Sequence, residues 1–448
     1  MTDVTEAKEL YPGSAIAVIG AGAAGLTAGY LLSQRHRVTV YEADDRLGGH
    51  AHTQVVKAPD GGRIAIDTGF IVHNDRTYPT LLKLFGQLGI ATGETDMSMS
   101  VRSQVTGLEY AGALGVAGLF PTWRNLTRGR FLLMLAEIKR FHKLAQWVLD
   151  DSVDDRTLDE FATDYRLSRY FQENFLFPLV AAVWSCDAAT AKRYPARYLF
   201  TFLDHHGMLS VYGSPSWRTV TGGSATYVTA VATHIEAHGG SIALSSPVSA
   251  VTSTGAGVDV ATPRGTEHYD AAVIATHPHQ ALAMLATPTP VQREVLGHIG
   301  YARKPAVLHT DESLLPRARR ARASWNYQIR ADGSDVAVTY DLTRLMRLPH
   351  GDGSAGIPRY LVTMGRTDLV EPDLIVASMS YEHPVYERRS VAAQRRLPEI
   401  GTETIAFAGA YHGWGFHEDA AASGERAARC FGGVWPGETE SLSASADR

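Results

Sequence analysis

Three glycines in the segment GAGAAG, Gly20, Gly22 and Gly25, have the spacing of a loop that binds the diphosphate of a dinucleotide. The first allows a tight turn, the second lets the diphosphate approach the backbone, and the third lets a helix pack closely on a strand. Glu42 follows about 20 residues later, where a carboxylate can bind both ribose hydroxyls of an adenosine. These residues predict binding of an adenine dinucleotide, and a glycine-rich turn that binds nothing is the alternative.

The elements that must position these residues are a strand, a helix and a second strand. Ile16–Ile19 is an apolar run typical of a buried parallel strand, Ala24–Ser33 is an apolar helix, and Val38–Tyr41 is the next strand. The N-terminus of this helix carries partial positive charge for the diphosphate. The uncharged stretch 15–32 is almost long enough to cross a bilayer, but its glycines argue against a membrane helix.

A second motif identifies the kind of dinucleotide. In EADDRLGGHAHT, Glu42, Arg46, Gly48 and Gly49 resemble the motif with which glutathione-reductase-type flavoproteins line the diphosphate of FAD. Nearly the whole chain resembles the flavin-containing amine oxidase superfamily, which also holds phytoene and other carotenoid desaturases and protoporphyrinogen oxidases. The segments GGHAHT, DTGFIVHN, HHGMLSV and LHTDESLLP are similar to those of bacterial FAD-dependent oxidoreductases whose substrates are mostly undefined. The resemblance implies an α/β fold, in which a glutathione-reductase-type, Rossmann-like FAD-binding domain is interleaved with an α+β substrate domain.

A glycine-rich and aromatic segment late in the chain resembles the part of amine oxidases that faces the flavin ring. Residues 415–424 are similar, position by position, to the amine oxidase pattern, and Phe416 falls at one wall of that family's aromatic cage. Trp414 is a second aromatic candidate. The resemblance implies that the last helix directs its N-terminus at the isoalloxazine, where the helix dipole stabilises negative charge. A glycine-rich turn that packs an aromatic cluster is the alternative.

Two departures from the family pattern concern how FAD is held. Tyr411 stands two residues after Gly409, where the family usually has an acidic residue that holds a ribityl hydroxyl, so the ribityl contact must differ. No cysteine stands where some amine oxidases attach the flavin covalently, so non-covalent FAD is expected. The residues predicted to bind FAD are Gly20, Gly22, Ala23, Ala24, Gly25, Glu42, Ala43, Arg46, Gly48, Gly49, His50, Thr68, Gly69, Val248, Gly409, Gly415, Phe416, Asp419 and Ala420.

The predicted catalytic residues are Lys304, Phe416 and Trp414. In IGYARKPAVLHT, Lys304 resembles the lysine that holds a water near flavin N5 in amine oxidases, and a surface lysine is the alternative. His277 and His279 are possible metal ligands by type, but no further ligand stands at a recognisable spacing. Packing or helix capping is therefore favoured for both histidines, and no metal is predicted.

Features of a nucleotide-binding domain occur three times along the chain. The predicted FAD-binding domain comprises residues 1–95, 213–281 and 397–435. Residues 96–212 and 282–396 form the predicted substrate-binding domain, and the polar tail 436–448 is expected to be disordered. Asp67, Thr68 and Gly69 follow a strand and could close over the flavin, while Val248 resembles the position whose backbone meets adenine.

Composition and charge exclude several classes of protein. The chain has 448 residues, 45% of them apolar, which fits two domains with sizeable cores. Its net charge of -5 gives no overall basic face, so a nucleic acid is not expected as a partner. Cys186 and Cys430 do not make a disulfide framework, and the start MTDVTEAKEL is acidic where a secretion signal is positive. A reduced, cytoplasmic protein without a transmembrane segment is expected.

The function implied is FAD-dependent oxidation, in which a hydride passes from a substrate C–H to flavin N5. The electrons then pass to oxygen or a quinone, because no second glycine fingerprint for a nicotinamide is present. Three classes stay open: an oxidase, dehydrogenase or desaturase of an apolar, lipid-like substrate; an amine oxidase; and a redox-neutral isomerase or non-catalytic flavin-binding protein. The apolar segment NFLFPLVAAVWSC and the cations Arg317, Arg319, Arg320 and Arg322 are consistent with a lipid and with peripheral membrane contact, although a packed core and a solvated face are the commoner explanations of these features.

Overall fold

A computed structural model describes residues 10–58, 61–151, 155–184, 186–210, 213–330, 337–349 and 356–438. The strands of these residues, numbered along the chain, are β1 Ala15–Ile19, β2 Arg37–Tyr41, β3 Thr53–Lys57, β4 Arg63–Asp67, β5 His73–Asn74, β6 Thr92–Glu94, β7 Met99–Ser103, β8 Glu109–Tyr110, β9 Trp217–Val220, β10 Ser241–Ala243, β11 Ala250–Ser253, β12 Val258–Thr262, β13 Gly265–Tyr269, β14 Ala271–Ile274, β15 Tyr301–His309, β16 Trp325–Ile329, β17 Ala337–Asp341, β18 Leu361–Gly365, β19 Ile375–Pro384 and β20 Ile405–Phe407. The α-helices are α1 Ala23–Leu32, α2 Pro79–Leu88, α3 Gly115–Leu119, α4 Gly129–Asp150, α5 Leu158–Asp164, α6 Arg169–Phe171, α7 Phe177–Trp184, α8 Ala188–Arg193, α9 Ala196–His205, α10 Ala225–Ala237, α11 Pro278–Met284, α12 Pro290–His298, α13 Leu342–Leu345, α14 Arg388–Gln394 and α15 His417–Arg429. The predicted disordered tail lies outside the described residues from 439 onward.

A parallel sheet forms the centre of the nucleotide-binding part. Its strand order is β10-β2-β1-β14-β20, and every neighbouring pair is parallel. Ile16, Ala17 and Val18 of the central strand β1 are fully buried, because helices α1, α10 and α15 cover one face and the β11–β13 hairpins with α11 and α12 cover the other. Burial on both faces explains the uninterrupted apolar run in this strand.

Two glycines bring the first and last helices of this part into close contact. A Cβ on Gly25 would lie 1.8 Å from the carbonyl oxygen of Gly20, so α1 can follow β1 this tightly only with glycine at that position. A Cβ on Gly424 of α15 would lie 2.2 Å from the carbonyl oxygen of Ala24 in α1. The backbones of α1 and α15 therefore touch, and they fix both helix N-termini at the same side of the sheet.

The substrate part is a second, mostly antiparallel sheet under a layer of helices. Its strand order is β19-β15-β18-β17-β16-β7-β8, and only β16 and β7 pair in parallel. Helices α4 to α9 form the layer, whose core is unusually rich in phenylalanine, with Phe131, Phe141, Phe161, Phe171 and Phe200 fully buried. The two sheets and this layer enclose the space described below.

Some helices that the predicted boundaries assign to the substrate-binding domain pack in the core of the nucleotide-binding part. Val295 and Leu296 of α12 and Ala393 of α14 lie in the core beside the nucleotide-binding sheet, although the boundaries assign them to the substrate domain. The uncharged stretch 15–32 is divided between β1 and α1. Within the described residues, no helix combines the length and the apolar character needed to span a bilayer.

Candidate active site

A cavity of about 890 Å³ runs from the parallel sheet to the space between the second sheet and the helical layer. At one end, the carboxyl ends of β1 and β2 contribute Gly20 and Glu42. At the other end, Trp184 of α7 faces Trp325 of β16 across the same space. All residues predicted to bind FAD line this cavity except Gly25, Gly48 and Asp419, which support residues that do.

The end of the cavity at the parallel sheet is built to hold an anion beside a ribose. Helix α1 begins after Gly22 with no side-chain cap and no acidic residue in its first turn, so its free N–H groups and the positive end of its dipole face the cavity. A Cβ on Gly22 would meet nothing within 4 Å, which leaves room for a diphosphate. Both oxygens of Glu42 accept backbone hydrogen bonds, Oε2 from Ala21 N at 2.8 Å and Oε1 from Asp44 N at 3.0 Å.

The second glycine motif packs directly on the first. Gly48 N donates to the carbonyl oxygen of Ala21 at 2.8 Å, and a Cβ on Gly49 would lie 3.2 Å from Gly22 Cα. Both residues have positive φ, +103° and +56°, which glycine adopts without strain. Arg46 lines the cavity beside this contact, so the two motifs together form one surface for a diphosphate.

The segment that follows β4 closes one side of the cavity, but Asp67 does not face it. Thr68 Oγ1 and Tyr381 Oη lie 2.8 Å apart, and both side chains line the cavity. Asp67 is buried and accepts hydrogen bonds from Ser224 N and Ser224 Oγ, so it fixes the start of α10. Burial raises the pKa of Asp67 to about 6.

The N-terminus of α15 and the aromatic residues before it form the middle of the cavity. Phe416 stacks on Phe202 with ring centroids 4.8 Å apart and 16° between planes, and both rings line the cavity together with Trp414 and Ala420. Asp419 lies behind them, where Oδ2 accepts a hydrogen bond from Phe416 N at 2.9 Å. Burial of this carboxyl group raises the pKa of Asp419 to about 7.

Several cavity-lining polar groups have no partner among the described residues. These buried atoms are His50 Nε2, His383 Nδ1, His417 Nε2, Trp414 Nε1 and Tyr411 Oη. Burial lowers the pKa of His383 to about 4 and that of His417 to about 3, so these rings are neutral at pH 7. These atoms have almost no accessible surface, so they lie behind the cavity wall and are not open to a molecule within the cavity. The features that fit FAD are those at the parallel sheet: the uncapped N-terminus of α1, the open space at Gly22 and the carboxylate of Glu42.

One group of the cavity's lining residues is almost entirely apolar. We call the space they line the apolar arm, and these residues are Ile71, Val72, Met97, Val183, Trp184, Phe202, Met208, Trp217, Trp325, Tyr340 and Met364. One imidazole, His206, lies among them, stacked on Phe202 with ring centroids 3.9 Å apart, and burial lowers its pKa to about 4. The charged lining residues Glu42, Asp44, Arg46, Arg303 and Glu382 all lie outside this group.

Sequence reasoning missed most of the apolar arm and the polar residues of β19. Trp184 lies in the segment already singled out as apolar, but Trp325, Tyr340 and Met364 come from three strands that meet only in the folded sheet. Tyr381 was also not predicted, because no residue near it in sequence indicates its contact with Thr68. The one available signal was the alternation of β19, which marks a strand with two different faces.

Lys304 lies behind the wall of the cavity. It is half-buried on β15, where it pairs with Tyr381 of β19, and it is absent from the lining, which its neighbour Arg303 joins. Burial raises the pKa of the Cys186 thiol and lowers the pKa of His383, and the positive charge of Lys304 acts against burial at Cys186 and together with it at His383. At Asp187, burial favours a higher pKa, but hydrogen bonds from Thr190 and the charge of Lys304 together outweigh burial and lower the pKa. The structure thus brings Lys304 close to His383, which does line the cavity.

The two histidines weighed as metal ligands gain a third partner in the fold. His277 Nδ1 lies 2.9 Å from Glu382 Oε2, and His279 Nε2 lies 3.8 Å from the same oxygen. The three ligand atoms lie within 4.8 Å of one another, close enough to hold one divalent cation. His277 also precedes α11, and its backbone N–H donates to Gln280 Oε1 at 3.1 Å, so the Gln280 side chain caps the start of this helix.

Known proteins share this sequence pattern and this fold. A family model described as flavin containing amine oxidoreductase matches residues 23–306. A Mycobacterium tuberculosis protein named as a flavin-containing monoamine oxidase, AofH, is 25% identical over 416 residues, which cover 87% of this chain and 80% of that protein.

Two solved structures show the shared fold. Cyclohexylamine oxidase from Brevibacterium oxydans has a TM-score of 0.66 at 16% identity, covering 98% of this chain and 100% of that one. A CLA-producing fatty acid isomerase from P. acnes also has a TM-score of 0.66 at 16% identity, covering 93% of this chain and 98% of that one. These similarities confirm the predicted α/β fold and the family resemblance.

Proposed function

Because the chain belongs to the flavin containing amine oxidoreductase family and is thus an FAD-dependent oxidoreductase, we propose that it takes a hydride from an apolar, lipid-like substrate. The observation that carries this proposal is the apolar arm, whose aromatic, methionine and aliphatic side chains offer no charge to a substrate. Moving an unbranched acyl chain from water into such a space is favourable, whereas a charged head group would lose its hydration there at a large cost in free energy.

The residues that would hold FAD follow from the geometry of the cavity. Glu42 would bind the adenosine ribose, and the N-terminus of α1 with Arg46 would bind the diphosphate. Bound non-covalently, FAD would supply a hydride acceptor at flavin N5. The N-terminus of α15 supplies positive dipole charge near the middle of the cavity, and Asp419 caps that helix through Phe416 N.

The protein's own residues orient the substrate and exclude water. Phe416, Phe202 and Trp184 form an aromatic wall where the apolar arm meets the rest of the cavity. A substrate C–H held against this wall is shielded from solvent, which favours hydride transfer over side reactions. Lys304 would act through His383 or a water, since its ammonium group lies behind the lining.

Amine oxidation is the second candidate. The aromatic pair Trp414 and Phe416 favours it, because both rings line the cavity and could flank an amino group, although neither carries a hydroxyl. AofH and cyclohexylamine oxidase are named for such a reaction.

A redox-neutral isomerase is the third candidate, and the fatty acid isomerase of the same fold is named for that reaction. We also propose that oxidation of the lipid can form a carbon–carbon double bond, as in a desaturase, and that oxygen or a quinone accepts the electrons. A cytoplasmic location and peripheral contact with a membrane are part of the same proposal.

The test is an anaerobic mixing experiment with the purified, FAD-loaded protein. Saturated acyl lipids, unsaturated acyl lipids and primary amines are added separately, and loss of flavin absorbance is followed together with product analysis. We expect bleaching by an acyl lipid; conversion of a lipid without bleaching or oxygen uptake would assign isomerisation instead. Bleaching by amines alone would refute the lipid proposal.

A matched pair of variants ties the result to the apolar arm. Met97→Glu places a carboxylate in the arm and should impair lipid turnover strongly, while Met379→Glu adds the same charge at a half-buried position outside the lining. Equal lipid turnover by both variants would show that the substrate binds elsewhere.

A further inference from the structure

The exposed apolar side chains of the protein gather on one part of its surface. Seven of the eleven large apolar side chains that are exposed among the described residues lie between positions 105 and 147: Val105, Val116, Trp123, Leu126, Leu132, Leu133 and Trp147. The exposed fraction is 71% for Trp123 and for Leu133. Single exposed apolar residues are ordinary, but a cluster of this kind marks a surface that another molecule covers.

Hydrogen bonds join the segments that carry all of these side chains except Trp147, which lies near the far end of α4, into one surface, which we call the basic apolar face. Both terminal nitrogens of Arg128, just before α4, donate to the carbonyl oxygens of Thr106 and Gly107, which follow Val105. Asn125, between Trp123 and Leu126, donates to the carbonyl oxygens of Glu109 and Leu119. The β7–β8 hairpin, α3, the turn at 123–127 and the start of α4 therefore form a continuous structure.

The same structure holds a further basic segment in place. The carboxylate of Glu109 accepts hydrogen bonds from the backbone nitrogens of Arg317 at 3.1 Å and Ala318 at 2.8 Å. The side chains of Arg319 and Arg320, on the turn that follows, are exposed. The basic run noticed in the sequence thus lies beside the exposed apolar residues.

The charge of this face is positive although the chain as a whole carries -5. Residues 104–149 contain six lysines and arginines and two glutamates. Both glutamates are engaged, Glu109 as described and Glu137 with Ser168 N and Oγ at 2.6 Å. Among the described residues, no ion pair involves the exposed cations Arg124, Arg130, Lys139, Lys143, Arg317, Arg319 and Arg320.

We propose that the basic apolar face docks the protein on a bilayer that contains anionic lipids. Helix α4 is amphipathic: Phe131, Phe141 and Leu144 enter the core, while Leu132, Leu133 and the exposed cations stay outside. Apolar and tryptophan side chains that insert at the interface, flanked by lysine and arginine, are the features of helices that lie on membranes.

The basic apolar face lies near the cavity, so docking on a membrane would bring the apolar arm close to lipid. Met97 lines the apolar arm, and the chain continues from it through β7 to the exposed Val105. β7 covers only Met99–Ser103 and Val105 lies in the turn that follows, so at most about 26 Å separates Met97 from Val105, and the arm lies near this face. The proposed use, delivery of a lipid-like substrate, rests on the proposed function, whereas the docking itself does not.

The test measures binding to vesicles and not turnover, so its failure is distinguishable from failure of the proposed function. FAD-loaded protein is sedimented with phosphatidylcholine vesicles, with or without about 30 mol% phosphatidylglycerol, at salt from about 50 to about 500 mM. We expect binding that requires phosphatidylglycerol and weakens with salt. Two double variants, Trp123→Ser with Leu126→Ser and Arg319→Glu with Arg320→Glu, should each bind at least tenfold more weakly.

Two matched double variants control for exposed apolar residues and for net charge elsewhere. Tyr11→Ser with Val55→Ser, and Arg63→Glu with Arg264→Glu, change exposed residues of the nucleotide-binding part and should bind like the unmodified protein. Retained FAD absorbance verifies that each variant is folded. Absence of binding at low salt, or equal binding by all four variants, would overturn the proposal. A dimer in gel filtration that Trp123→Ser abolishes, without vesicle binding, would overturn it in favour of a second copy.

Discussion

Replacement of Glu42 by alanine should weaken the binding of FAD, because this carboxylate holds the glycine loop and lines the adenosine end of the cavity. Oε2 accepts from Ala21 N at 2.8 Å and Oε1 accepts from Asp44 N at 3.0 Å. An ionised carboxylate has about four acceptor positions, so about two remain for the ribose hydroxyls of FAD.

The expected loss of affinity follows from these two remaining positions. Hydrogen bonds to a charged group contribute about 1.5–3 kcal/mol each, so two of them amount to about 3–6 kcal/mol. Since about 1.4 kcal/mol is a tenfold change, the dissociation constant of FAD should rise by about two to four orders of magnitude. Loss of the hydrogen bond from Ala21 N also loosens the loop at the start of α1. The rise in the dissociation constant of FAD should therefore lie nearer the upper end of this range.

The assay is a titration of the apoprotein with FAD, followed by flavin fluorescence, for the unmodified protein and three variants. Glu42→Ala removes both roles of the carboxylate, while Glu42→Gln keeps an oxygen for Ala21 N but loses the charge, so its affinity should fall in between. Glu236→Ala removes an exposed carboxylate on α10 and serves as the matched control. FMN is titrated in parallel, because it lacks the adenosine ribose.

The result for FMN distinguishes a ribose contact from general damage. If Glu42 binds the ribose, Glu42→Ala weakens FAD much more than FMN, and the preference for FAD collapses. An affinity for FAD within about threefold of the control would refute the reasoning, because it is far below the smallest expected loss. Equal weakening of FAD and FMN would assign Glu42 to the loop alone.

Four further predictions follow from the described contacts. The purified protein should be yellow and release FAD, not FMN, on denaturation, as chromatography of the released flavin will show; a colourless protein that FAD cannot reconstitute would contradict the central claim. Lys304→Met should keep bound FAD and slow hydride transfer or flavin reoxidation at least tenfold in stopped-flow absorbance, and rates within about twofold of the unmodified protein would make the lysine a packing residue. Gly424→Ala should cost about 3 kcal/mol or more in urea unfolding because its Cβ meets the backbone oxygen of Ala24 at 2.2 Å, whereas Gly29→Ala, which meets only the flexible Ile235 Cδ1 at 2.9 Å, should cost less. Burial raises the pKa of Asp419 to about 7, so the folded apoprotein holds at this carboxyl a proton that the unfolded chain releases near pH 4, and this group alone lowers the unfolding free energy by up to about 1.4 kcal/mol per pH unit between those values. Buried neutral histidines such as His383 and His417 act in the opposite direction, so the test is the difference between two proteins: Asp419→Asn should make the slope of unfolding free energy against pH more positive by up to that amount, and an unchanged slope in urea unfolding would show that Asp419 does not titrate there.

The parts of the fold that sequence predicts well are those with local rules. The strand β1, the loop at Gly20–Gly25 and the helix α1 follow from an apolar run and the spacing of glycines, and the structure places them within one residue of the predicted bounds. Helix α10 likewise lies between two pairs of glycines, Gly222 with Gly223 and Gly239 with Gly240. In each case the signal and the structure it specifies lie within about 20 residues of each other.

The parts that sequence did not predict depend on distant segments that meet only in the folded chain. Glu382 reaches His277 from a strand 105 residues away, so the spacing around the two histidines gave no sign of a third ligand. The basic apolar face was also not predicted as a unit, because its side chains come from the β7–β8 hairpin, α3, the turn at 123–127 and the start of α4, which meet only in the folded chain. Sequence periodicity shows which face of a helix is buried, but not what covers the other face.

The contact between α1 and α15 has a consequence for how the protein acquires its cofactor in the cell. Ala24 and Gly424 touch, yet the ribosome synthesises them 400 residues apart. Until β20 and α15 leave the ribosome, β14 has no partner strand on its outer side and α1 lacks the helix that covers it. We therefore expect FAD to load after synthesis is complete, so that a shortage of FAD leaves newly made chains exposed to aggregation and proteolysis.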